Sequence, residues 1–178
     1  SRGYRTLQNR RNSVLFTMTR TKEREEKFKW VGPIFTSTLI LVAKRQNQYT
    51  VTQAEHLFSH RVVTLRNDVL EESLRGIGFP SRNLALVSDM KQALLMLRSD
   101  RVDMMMTSVH GFHHVLKQLR ESRQKYQVVW QVERVGNYFA FSKDVSDDLI
   151  QLFQRAFDDT GAERTAIKAK YDLPESEY

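Results

Sequence analysis

The chain has 178 residues, 40% of them hydrophobic and 28% charged, with no cysteine and a net charge of +7. Those values suit one ordinary domain or two small lobes sharing a core, and exclude disordered, collagenous, disulfide-framework and thiolate-metal chains. No uninterrupted apolar run exceeds residues 39–43, far short of the ~18 residues of a membrane span.

The first ten or so residues, with Tyr4 and Leu7 on one side, predict a helix ending near Asn12, followed by a strand over 13–18. Residues 19–27 are densely charged and read as a loop entering a short helix, halted by the aromatic stretch Phe28 to Trp30 and by Gly32-Pro33. Residues 36–44 are a buried strand rich in branched side chains. The polar stretch 46–50 is a candidate crossing or hinge, and Thr52-Gln-Ala-Glu55 has capping-box spacing. From Arg61 the chain alternates strand and helix. Strands are predicted over 61–65, 84–87, 101–106, 127–132 and 137–141. Helices are predicted from Asp68 to Gly76, from Ser88 through 98, over 108–120, 146–158 and 163–171. This order predicts an α/β protein with parallel, doubly wound sheets, whose ligands sit beyond strand carboxyl ends against helix N-termini.

The charge is local. Residues 1–30 carry nine Lys and Arg against three Glu, and the other 148 carry nineteen against eighteen. Without a helix-turn-helix, finger or aromatic RNP pattern, a nucleic-acid partner is not expected. In a helix over 20–29, Glu23 would pair with Lys27 and Glu25 with Lys29. Arg24 has Thr21, Lys27, Arg20 and Phe28 at helical neighbour spacing. Such an arginine, following the Thr17 and Thr19 hydroxyls, suits a fork for a carboxylate or phosphate, though a carboxylate from elsewhere in the fold would serve it equally. His110, His113 and His114 share a helix face but lack the further ligands a metal needs. Met104 to Met106 and the two tryptophans read as core, with Trp30 a candidate next to a ligand. No nucleophile elbow, phosphate loop or metal-binding helix is present in the sequence, so neither a catalytic residue nor a cofactor is expected.

The string Leu15-Phe-Thr-Met-Thr-Arg-Thr-Lys-Glu-Arg-Glu-Glu-Lys-Phe-Lys-Trp-Val-Gly-Pro-Ile34 resembles the signature of family 3 periplasmic solute-binding proteins, the amino-acid-binding type. Weaker likenesses follow in the same order at Arg66-Asn-Asp-Val, residues 74–79, 93–97, Arg101-Val-Asp103 and Tyr138-Phe-Ala-Phe-Ser-Lys143. The resemblance implies two α/β lobes of the type II periplasmic-binding-protein fold: 1–48 with 135–178 as one lobe, and 49–134 as the other. It implies a ligand held by Arg24, Thr17 and Thr19 on one side and by Arg66, Asn67, Asp68 and Val69 on the other. It also implies a periplasmic location and a membrane ABC permease as partner.

Two departures qualify what the resemblance implies. The family usually places an acid after the strand beginning Arg-(Ile/Val)-Asp, and this chain has Thr107 and Ser108 there. That neutral pair does not balance an ammonium, so a small anionic, carboxylate-bearing ligand is expected. The family's opening strand, helix and strand have no counterpart, and there is neither an initiator Met nor a leader. The first lobe is therefore expected to be incomplete, from truncation or with completion by a homodimer or domain swap. A sensory or degenerate module acting through a protein partner is the alternative expectation.

Overall fold

Leu39, Ile40, Leu41, Val42 and Ala43 are all buried, a run that fits only a strand covered on both faces. It lies in the second half of β2 (Lys29–Lys44), a strand of 16 residues that begins seven residues before the predicted start at residue 36. The structure, a computed structural model, describes residues 2–170. The chain divides into two compact units, Ser1–Ser37 with Val135–Tyr178 and Thr38–Arg134. Hydrogen bonding orders the strands β1-β6-β2-β5-β3-β4. Two of them, β2 and β6 (Tyr126–Phe141), are 16 residues long and pass from one unit's residues into the other's.

In the first unit, α1 (Arg2–Asn9) precedes β1 (Val14–Arg20), which pairs antiparallel with the end of β6 through Leu15↔Ala140 and Met18↔Tyr138, with a register shift between them. One face of this sheet buries Leu7, Met18, Phe28 and Ala140, with Tyr4, Leu15 and Trp30 packed against them. Another cluster of the unit joins Val31, Phe141, Val145 and Phe157 beneath α6 (Asp147–Asp159), which is followed by α7 (Gly161–Lys170). Gly32-Pro33, expected to halt the chain, lies inside β2 instead. Within this unit β2 is an edge strand, where a proline lacking its N–H is tolerated. Similarly Gly136 interrupts nothing: residues 126–141 form one strand where two were expected. The predicted end of the last helix at Tyr171 lies outside the described residues.

In the second unit, β3 (Val62–Leu65) pairs parallel with β4 (Leu84–Val87) and with β5 (Met104–Ser108), and β5 runs antiparallel to β2. The sheet is therefore mixed, not wholly parallel. Strand-helix-strand order demanded the parallel pairs, but it carried no information about β2, which enters from the other unit's residues. Helices α3 (Val69–Gly76), α4 (Met90–Arg98) and α5 (Val109–Leu119) supply Leu74, Leu94, Leu97, Phe112 and Val115 as buried side chains. Met104, Met105 and Met106 are all fully buried, as core residues of a strand covered on both faces. The Thr52-to-Glu55 capping box does not form. Residues 54–57 are a 3-10 turn, and the Thr52 hydroxyl lies 3.4 Å from His56 Nδ1. Asp89, not Ser88, caps α4 by accepting from the Lys91 amide at 3.2 Å. The chain leaves α3 through Gly78, whose φ of +81° suits glycine, two residues after the glycine expected to close the helix.

Candidate functional site

In the first unit the site residues cluster where β1 ends. The helix α2 (Lys22–Glu25) has only four residues, so the expected pairs Glu23 with Lys27 and Glu25 with Lys29 do not form across it. Glu25 reaches back instead to Arg20, whose Nε donates to Glu25 Oε2 at 2.6 Å while Nη2 donates to the other carboxylate oxygen. The Arg20 guanidinium also lies 5.7 Å from the centre of the Trp30 indole and 5.2 Å from that of the Tyr138 ring. This fork holds the Glu25 carboxyl below its ordinary value and raises that of the arginine. It also ties α2 to the end of β1.

Arg24 is half-buried on that tethered turn. Its Nη1 donates to the Thr19 carbonyl at 3.3 Å, and its guanidinium carbon is 5.3 Å from the Tyr4 ring centre. Thr19 donates its hydroxyl to Asn137 Oδ1 at 3.2 Å, whereas Thr17 is exposed. Arg24 and Thr19 are thus brought into direct contact, and Asn137 joins them. Thr21, between β1 and α2, has a buried hydroxyl with no hydrogen-bond partner among the described residues. Neither Asn137 nor Thr21 was singled out by sequence reasoning. Asn137 is 118 residues from Thr19, and only strand register relates them.

In the second unit the residues fall into two groups. Asp68 caps α3 by accepting from the Leu70 amide at 3.1 Å, as its position predicts. Asn67 has a φ of +55°, and its amide donates to Glu71 Oε2 at 2.8 Å. That amide is therefore engaged within the helix start. Burial would raise the Glu71 carboxyl, but the Asn67 amide and the Arg75 guanidinium outweigh it and hold the carboxyl low. Arg66 is exposed, with its Nη2 3.4 Å from the Leu86 carbonyl, and Val69 opens the helix half-buried.

At the end of β5, Thr107 is fully buried and donates its hydroxyl to the Ser108 carbonyl at 3.2 Å. Ser108 caps α5 by accepting from the Gly111 amide at 3.0 Å. A Cβ on Gly111 would lie 3.0 Å from the Ser108 hydroxyl and 3.1 Å from that of Thr107. The glycine is what lets two hydroxyls converge at this strand end. The pair is neutral, as its composition required.

These elements define a mixed α/β protein with the periplasmic-binding-protein-like fold, two units through which two long strands pass. No family model and no curated protein matches the chain. Among solved structures it is similar to a histidine kinase sensor domain with similarity to periplasmic binding proteins, at 18% identity and a TM-score of 0.78 over 94% of this chain and 72% of that one. It is also similar to the arginine-, lysine-, histidine-binding protein ArtJ from Geobacillus stearothermophilus, at 18% identity and a TM-score of 0.70 over 90% and 69% of the two chains. A third neighbour is the substrate binding protein of an amino acid ABC transporter, at 16% identity and a TM-score of 0.65 over 86% and 67%. These likenesses establish the fold. The neighbours are binding proteins and a sensor domain, and among the described residues no helix is long and apolar enough to cross a membrane.

Proposed function

We propose that the protein is a non-catalytic, extracytoplasmic solute-binding protein that captures a small carboxylate or amino-acid-like ligand for an ABC-type importer. The observation that carries this reading is the fold, shared over 86–90% of the chain with an amino-acid-binding protein and a transporter's substrate binding protein. In the proposal the two units act as lobes, one made of residues 1–37 with 135–178 and one of 38–134. Arg24 forks the ligand carboxylate, with Thr17 and Thr19 beside it. The α3 start at Arg66 to Val69 and the hydroxyls of Thr107 and Ser108 supply contacts from the second lobe. The neutral Thr107 and Ser108 favour an anionic guest over one whose ammonium needs a counterion. A ligand that contacts both lobes in only one arrangement shifts the population toward it, and a permease in the membrane reads that arrangement. The other partner in this reading is a second copy of the chain.

A panel of amino acids and organic acids, each added to the purified chain during thermal unfolding, tests the reading. A true ligand at a hundredfold excess over its Kd stabilises the fold by about 2.7 kcal/mol. Arg24→Ala is expected to abolish that shift, and unchanged affinity for a carboxylate ligand in this variant would overturn the assignment. The similarity to a histidine kinase sensor domain favours a second reading, a sensory module that signals to a partner protein. A chain that gains no stability from any compound in the panel supports that alternative.

A further inference from the structure

The second unit carries its positive charge at one end. At the amino-terminal end of its parallel strands lie residues 44–61, 75–83, 98–103 and 117–125, which are the ends of β2, α3, α4 and α5 and the connections into β3, β4, β5 and β6. These segments hold eleven Lys and Arg against four Asp and Glu, whereas the rest of residues 38–134 hold three against five. Contacts between the segments make them one surface. Lys44 pairs with Asp100, and Arg98 and Lys125 share Glu121. Arg45 Nη2 and Arg123 Nη1 both donate to the Tyr126 carbonyl, at 3.1 and 3.0 Å. Arg45, Arg82, Arg101, Lys117, Arg120 and Arg123 have no carboxylate partner among the described residues. All but the half-buried Arg123 are exposed.

Helix ends explain part of this charge. A cation in the last turn complements the helix dipole, which accounts for Arg75, Arg98 and Lys117. It does not account for Arg45, Arg82, Arg101 and Arg123, which lie in the connections. We propose that this basic end is a docking surface for an anionic phospholipid bilayer. Two features select that partner over an acidic protein. First, the cations come from separate segments spread across the end of five strands, about 20 Å wide at a spacing of ~4.8 Å. That layout meets a planar charged surface at many points at once. Second, a stable protein interface is built around a core of apolar side chains, and Leu95 is the one large hydrophobic residue of this unit exposed among the described residues. Adsorption to a bilayer by charge needs no such core. The inference uses the second unit alone and holds whether or not the chain binds a solute.

Co-sedimentation of the 178-residue chain with vesicles tests this. The chain is expected to bind vesicles of equimolar phosphatidylglycerol and phosphatidylcholine but not of phosphatidylcholine alone. It is expected to release them between about 0.1 M and about 1 M salt, as the screening length shrinks from ~10 to ~3 Å. Arg82→Gln, Arg101→Gln, Lys117→Gln and Arg120→Gln together change exposed side chains that make no hydrogen bond or ion pair among the described residues. They are expected to weaken binding at least tenfold, each cation near the surface being worth about fivefold. If that variant fails to fold by circular dichroism, the pair Lys117→Gln and Arg120→Gln is measured alone, with a loss of about fivefold or more expected. Arg2→Gln, Arg5→Gln, Arg10→Gln and Lys27→Gln together remove the same net charge from the first unit and are expected to weaken binding far less. A chain that ignores the anionic vesicles, or stays on them at high salt, overturns the proposal. So does a first-unit variant that loses as much as the second-unit one, since net charge alone then drives binding. Retention on immobilised polyglutamate without vesicle binding overturns it in favour of an acidic protein partner.

Discussion

Gly111 shows how one hydrogen atom in place of a methyl group shapes a site. Alanine in a helix interior ordinarily stabilises it by about 1 kcal/mol relative to glycine. Here the added Cβ would sit 3.0 Å from the Ser108 hydroxyl and 3.1 Å from that of Thr107, displacing the oxygen that caps α5. Gly111→Ala is therefore expected to destabilise the chain by about 1 kcal/mol, the worth of a lost cap, as read from urea unfolding. A stabilised variant would show that the hydroxyls yield without cost. The hydroxyls of Thr107 and Ser108 were legible in the sequence as a neutral pair after a strand. The glycine three residues after Ser108 supplies the amide that this cap accepts, a local spacing that composition alone does not flag. Arg20 and Glu25 were less legible. Five residues is not a helical pairing distance, and their contact arises only because the chain turns from strand to helix between them.

At the scale of elements, periodicity located nearly every helix and strand, and the two misplaced strand breaks fall at Gly32-Pro33 and Gly136. Both are read from sequence as breaks, and both lie inside strands of 16 residues. The local preference of glycine and proline is worth about a kcal/mol or a few, and a long ladder of strand pairing overrides it. The core of the second unit depends on β5, whose three methionines are flexible chains held at zero exposure, Met105 in one cluster with Ile40, Val42, Val63 and Leu97. Met105→Ala is expected to cost about 2–5 kcal/mol. Chemical denaturation measures it, and a loss under about 1 kcal/mol would mean that the neighbouring side chains collapse into the space.

For the whole molecule, three carboxylates of the second unit tie its stability to pH. Glu121 is held below its ordinary value of 4.5 by the Lys125 ammonium, 2.5 Å away, against the opposing effect of burial and with help from Arg98. Burial likewise opposes ionisation of Glu71 and Asp103, but the Asn67 amide with Arg75, and the Arg61 amide and guanidinium, outweigh it. Each carboxyl titrates lower in the folded chain than in the unfolded one. The unfolded chain therefore takes up more protons as acid is added, so the stabilisation is present above the ordinary carboxyl values and is lost as pH falls through the folded ones. Urea unfolding from about pH 5 down to about pH 3 is expected to show falling stability. Glu121→Gln should flatten that slope modestly, since the carboxylate is only 7% exposed while its partners Lys125 and Arg98 are 65% and 54% exposed and water screens them. A slope unchanged by the substitution would remove Glu121 from this account.

Composition, the order of elements and the Arg24 string determined the α/β class, the main strands and helices, and the residue types proposed to meet a ligand. These follow from interactions between near neighbours along the chain, which periodicity and spacing record. The antiparallel β2 beside the parallel strands of the second unit and the contact of Thr19 with Asn137 were decided by tertiary structure alone. Each depends on which distant segments lie side by side, and loop closure brings those together at a cost that rises only slowly with the length of chain between them.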